Sequence, residues 1–144
     1  MRTPMQGFTL IEMLTAMAIA AVLSGVALPS FEGQLQKARR ADVLAALVLI
    51  QGAQERLRSR STRYGELAEI GAAGVTRAGH YTLQMTAFDA DGYVLLATAT
   101  GTQARDVACR FMRASAVGMN LVYASGSDIS VANDRLANRQ CWSL

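Results

Sequence analysis

Few residues in this chain of 144 have the types and spacing for chemistry. A carboxylate, Glu12, is the only charge in residues 8–28, FTLIEMLTAMAIAAVLSGVAL. A charge at a bilayer centre costs roughly 2.5–3.5 kcal/mol, less towards the interface, so an acid there needs a partner. Cys109 and Cys141 are too far apart in sequence for a CxxC redox or zinc motif. In an exported chain they can pair, closing a loop at a gain of about 3–4 kcal/mol; in a cytosolic chain they read as buried thiols. Arg56, Arg58, Arg60 and Arg63 offer phosphate contacts. Cations also suit a helix C-terminus and a solvated loop, and that reading is preferred, because Tyr64 is the one aromatic beside them.

His80 is the single histidine, so any nucleophile–histidine arrangement would depend on it; a structural or exposed role is expected. The run Asp89-Ala90-Asp91-Gly92 lacks the further ligands of a calcium loop and reads as a hairpin turn. No phosphate-binding or dinucleotide fingerprint occurs. No catalytic site, cofactor or metal is expected, which sets aside an exported enzyme anchored by its signal.

The elements that must position these residues follow from patterning. The length suits one compact domain plus an appended segment. Hydrophobic residues make up 51% of the chain, with the excess in the first thirty. The net charge of +3 is carried almost wholly by arginine, Lys37 being the lone lysine; it is too mild to argue for nucleic acid by itself. Residues 8–28 are long enough to span a bilayer as a helix, and Arg2 in the short polar start favours a cytoplasmic N-terminus. A cleaved secretory signal would find small residues in SGVALPS, but the acid fits it poorly.

Pro29 can bend a helix without ending it. Beyond it, Val43, Leu47, Ile50, Gln54 and Leu57, with Ala46 and Ala53, recur at steps of three and four, an amphipathic stripe. One long helix is expected over about residues 8–58, its amphipathic continuation being 29–58. A loop at 59–79 follows, in which GELAEI forms a turn of helix. A sheet over 80–124 is then expected. HYTLQMTAF places Tyr81, Leu83, Met85 and Ala87 on one face, and YVLLATAT, VACRFMRAS and NLVYA supply the remaining strands. The tail after them reads as turns and irregular chain. The result is an α+β layer.

The block GFTLIEMLTAMAIAAVLSGVALPSF resembles the N-terminus of type IV prepilins and of type II secretion pseudopilins. The resemblance implies a leader of residues 1–7, cleavage between Gly7 and Phe8 by a prepilin peptidase, and N-methylation of Phe8. It implies a pilin fold, with a long N-terminal helix, membrane-spanning in its first half, packed on a sheet of three to four strands within a head of residues 59–144. The disulfide-bounded region 109–141 would be closed by Cys109 and Cys141, in the pattern of minor type IVa pilins. Partners implied are other pilin subunits through the N-terminal helices, the peptidase, the inner-membrane assembly platform and, before assembly, the lipid bilayer. Glu12 would pair with the amine of a neighbouring Phe8. The chain reads as a minor pilin, inserted in the inner membrane with its head periplasmic and later part of an extracellular filament. A type II secretion pseudopilin and a DNA-uptake pilin are the alternatives.

Overall fold

The computed structural model describes residues 7–118, 120–131 and 134–143, with the side chains of 26–30 outside the description. Helix α1 runs Leu10–Ser61. It starts later than expected because Thr9 caps it, and it ends three residues late, where Thr62 takes a left-handed φ of 56°. Pro29 lies within its span, and the expected bend there falls on residues outside the described side chains. The chain forms two compact units, Met1–Leu35 and Gln36–Leu144.

In the first unit, the described helical residues are exposed: Leu10, Met17 and Val22 are 80%, 72% and 69% accessible. Among the described residues, no helix is long and apolar enough to cross a membrane. The expected span of 8–28 runs into the positions whose side chains are not described.

In the second unit, four strands form an antiparallel meander in the order β1-β2-β3-β4. They are Tyr81–Phe88, Gly92–Ala99, Phe111–Val117 and Asn120–Gly126. The stripe of α1 packs on one face: Val43, Leu47 and Ile50 are buried with Tyr81, Leu83, Leu95, Ala97, Met112 and Ala114. Register explains the fit. Leu83 pairs with Ala97, which pairs with Met112, and Leu95 pairs with Ala114, so large and small side chains alternate under the helix. Alternation in β1 fails at its far end, where the register shifts between Met85 and Ala87 and Ala87 is exposed.

Gln54, which the pattern places in the apolar stripe, is fully buried. Its amide donates to the Gly65 carbonyl at 2.6 Å and accepts from the Gly65 N–H at 3.0 Å, doing for a loop what a strand partner would do. The hairpin turn forms as expected, with Asp89 Oδ1 accepting from the N–H groups of Asp91 and Gly92, each at 2.8 Å. Gly92 is needed for closeness, since an added Cβ would fall on the Ala116 carbonyl oxygen.

GELAEI forms a single hydrogen-bonded turn, with Ile70 N–H on the Glu66 carbonyl and Ala72 N–H on the Leu67 carbonyl. Two expectations need correction. Cys109 lies in a 3₁₀ turn, Val107–Cys109, ahead of β3 and outside any strand. The tail holds a helix, α2, Arg135–Trp142, capped by Asp134, which accepts from Leu136 and Ala137 N–H. Its Asn138, Cys141 and Trp142 are buried at the i, i+3, i+4 spacing of one helical face.

The four tyrosines, Tyr64, Tyr81, Tyr93 and Tyr123, all lie in this unit. Burial raises the pKa of each, that of Tyr93 to about 12. A phenol raised in the folded state contributes stability that is complete below its unfolded pKa near 10 and lost as pH climbs towards the folded value. Phenolate absorbance should therefore rise together with unfolding above about pH 10. A full phenolate titration near pH 10 with the fold intact would contradict this.

Candidate functional site

The N-terminal constellation is built by the first turn of α1. The Thr9 N–H and hydroxyl donate to Glu12 Oε2 at 2.8 and 2.7 Å, and Thr9 Oγ1 accepts from the Glu12 N–H at 3.3 Å. This is a capping box, and an acid in the first turn also suits the helix dipole. Thr-x-x-Glu within FTLIE is the sequence signal for it, and Thr9 supplies part of the partnership that the acid needs. Both bonds fall on Oε2, leaving Oε1 without a partner among the described residues. Phe8 is 82% exposed. At Gly7 an added Cβ would meet nothing, and the backbone is not left-handed, so the local fold makes no demand for glycine there.

In the head, the four candidate arginines separate. Arg63 pairs with Glu69, Nη2 to Oε1 at 2.6 Å. That bond holds the Glu69 carboxyl below its usual range and raises the Arg63 pKa. Arg58 donates to the Tyr64 hydroxyl at 2.7 Å and lies 5.0 Å from its ring centroid. Arg60 turns back to the Arg56 carbonyl at 3.2 Å. Arg56 and Arg60 stay exposed, with no carboxylate partner among the described residues. His80 is half-buried at the start of β1, and its carbonyl accepts from Thr100 N–H.

Sequence reasoning missed a buried clamp. Arg40, 7% exposed, holds Asp106 with two bonds, Nε to Oδ2 at 2.7 Å and Nη2 to Oδ1 at 2.8 Å. Its Nη1 donates to the Gln140 carbonyl in the last turn of α2 at 2.8 Å. Gln103 adds bonds to Asp106, to the Tyr81 hydroxyl and to the Gln36 carbonyl. The Cys109–Cys141 disulfide closes beside it, with S–S 2.07 Å and Cα–Cα 5.5 Å. Together they fix α2 and the 3₁₀ segment 101–109 to α1. The indole N–H of Trp142 on the Ala124 carbonyl and the Asn138 amide on the Tyr123 carbonyl tie α2 to β4. Among the described residues, no group of three metal-ligating side chains forms.

Comparison with known proteins agrees with this layout. Residues 2–28 match the prokaryotic N-terminal methylation motif, and chains with that motif are pilins of the pilus or of the inner membrane. The type II secretion system core protein G of Klebsiella pneumoniae is 34% identical over 59 residues, which cover 41% of this chain and 42% of that protein. The match thus spans less than half of that relative's length. These are structural pilins and not enzymes, and they assemble with other pilin subunits. Residues 29–113 match the family described as type IV minor pilin ComP, DNA uptake sequence receptor. A match over more than half of the chain, joined to a long helix on a four-stranded antiparallel sheet, places it plainly: the chain belongs to the ComP family of type IV minor pilins.

Proposed function

We propose that this chain is a minor pilin of a type IV pilus whose head contacts DNA during uptake. The family match over residues 29–113 carries the reading. The charge of the head supports it. Arg56, Arg60, Arg77, Arg105, Arg135 and Arg139 are exposed, while Arg40 and Arg63 are the two arginines paired with carboxylates among the described residues.

On this reading residues 1–7 are the leader, and a prepilin peptidase cuts between Gly7 and Phe8 and methylates Phe8. Residues 8–28 hold the chain in the inner membrane, with residues 29–58 continuing the helix and 59–144 forming a periplasmic head. The assembly platform then moves it into the filament. The freedom of Gly7 from any local demand supports an outside reader of that glycine. A pseudopilin of a type II secretion system is the second reading, favoured by the likeness to core protein G.

DNA binding is tested with the full chain in detergent. Affinity for duplex DNA should fall linearly on a log–log salt plot, by about 0.9 per phosphate contacted. Replacing Arg60, Arg105, Arg135 or Arg139 by glutamine should reduce that slope by roughly one wherever a contact is lost. Absent or salt-independent binding at low salt contradicts a DNA-contacting head and leaves the pilin assignment standing.

A further inference from the structure

The second unit carries a collar of cations where it begins, at Gln36. Gln103 Nε2 donates to the Gln36 carbonyl at 3.3 Å, Arg39 Nη1 donates to Thr102 Oγ1 at 2.9 Å, and Arg40 holds Asp106 and the Gln140 carbonyl. These bonds gather α1 at residues 36–40, the 3₁₀ segment 101–109 and the last turn of α2. Each adds a cation without a carboxylate partner among the described residues: the exposed Lys37 and half-buried Arg39, the exposed Arg105, and the exposed Arg139. The nearby acids do not balance them. Asp106 is spent on Arg40. Asp42 is turned inward, its Oδ1 accepting from the Ala78 N–H at 3.3 Å and its Oδ2 buried. Val107, 51% exposed, and Leu136, 77% exposed, lie on the 3₁₀ segment and on α2 among these cations.

Cations interleaved with exposed aliphatic side chains suit a surface that is anionic outside and apolar just beneath. A nucleic acid offers the aliphatic groups nothing, and these segments expose no aromatic on which a base could stack. Chain connectivity says which surface is at hand. Gln36 follows Leu28, the end of the apolar stretch, by eight residues, at most about 28 Å even when fully extended. With residues 8–28 in a bilayer, that tether keeps the collar at high local concentration beside it, so a weak contact suffices. We propose that Lys37, Arg39, Arg105 and Arg139 rest on the anionic phospholipid headgroups of that membrane and orient the head before assembly. The proposal rests on the reading of residues 8–28 as membrane-held. Lipid contact and DNA contact are then successive, since Arg105 and Arg139 are released when the chain leaves the bilayer.

The full chain in lipid nanodiscs, with a fluorophore at the exposed Thr102 and a short-range quencher on the lipid headgroups, tests the contact. Quenching should be several-fold stronger in discs containing phosphatidylglycerol than in phosphatidylcholine alone. Near 1 M salt, where the screening length is about 3 Å, it should fall to the phosphatidylcholine level. Lys37→Gln and Arg105→Gln should each lower the contact equilibrium by roughly fivefold, whereas Lys37→Arg, which keeps the charge, should leave it in place. Equal quenching in both lipids, quenching that survives high salt, or quenching indifferent to both glutamine variants would overturn the proposal. So would a fluorescence response to duplex DNA in phosphatidylcholine discs with none to phosphatidylglycerol, which would give the collar to nucleic acid. Retention of the chain in the discs, measured on the same samples, separates loss of this contact from failure of residues 8–28 to hold the membrane.

Discussion

Glu12→Ala should leave the precursor inserted and cleaved while cutting its incorporation into filaments by two orders of magnitude or more. On the proposed reading, cleavage before Phe8 creates an amine, and in a bundle of apolar helices that cation would need an acid. Removing one member of a buried pair costs about 3–5 kcal/mol. The structure shows a second job for Glu12, the capping box with Thr9. Magnitude separates the two, because loss of a cap costs about 0.5–2 kcal/mol. Thr9→Ala, which breaks the box and keeps the acid, should therefore assemble far better than Glu12→Ala. Among the described residues the cap uses only Oε2, so on the proposed reading Oε1 would be left for the amine. The check is the ratio of filament-borne to membrane-borne chain in the two variants. Equal defects would mean that the cap alone matters.

Arg40→Met should destabilise the head by about 3–5 kcal/mol, since it strands Asp106 as a buried charge. That is a large share of the ~5–15 kcal/mol available to a domain. It also leaves the Gln140 carbonyl without its donor. The double change Arg40→Met with Asp106→Leu should recover much of the loss, because an apolar pair has no charge to strand. Denaturant unfolding of the three variants measures both effects. A single-variant cost below about 1 kcal/mol would show that the clamp behaves like an exposed ion pair.

Local pattern made much of this fold legible. The step-three, step-four stripe from Val43 to Gln54 named the packed face of α1, and Asp-Ala-Asp-Gly named the β1–β2 turn. The disulfide followed from the resemblance. What stayed hidden was non-local or weak in apolar signal. Arg40 and Asp106 meet across 66 positions, and nothing in sequence links them. Helix α2 shows one apolar-periodic turn in a polar run, with Arg135 and Arg139 exposed, so its Asp134 cap was the clearer sign. The arginines of the helix end looked alike in sequence. Only the positions of Glu69 and Tyr64 set Arg63 and Arg58 apart from Arg56 and Arg60. The methylation motif was legible because it is a local run of residues, and an added Cβ at Gly7 meets no neighbour in the structure.

The central claim is that this chain is processed and assembled as a pilin. The most direct measurement is mass spectrometry of its N-terminus in sheared filaments. The chain should begin at N-methylated Phe8, and a Gly7→Ser variant should fold normally yet remain as uncut precursor in the membrane. A filament-borne chain that begins at Met1, a cut within SGVALPS, or a Gly7→Ser chain still starting at Phe8 would contradict it.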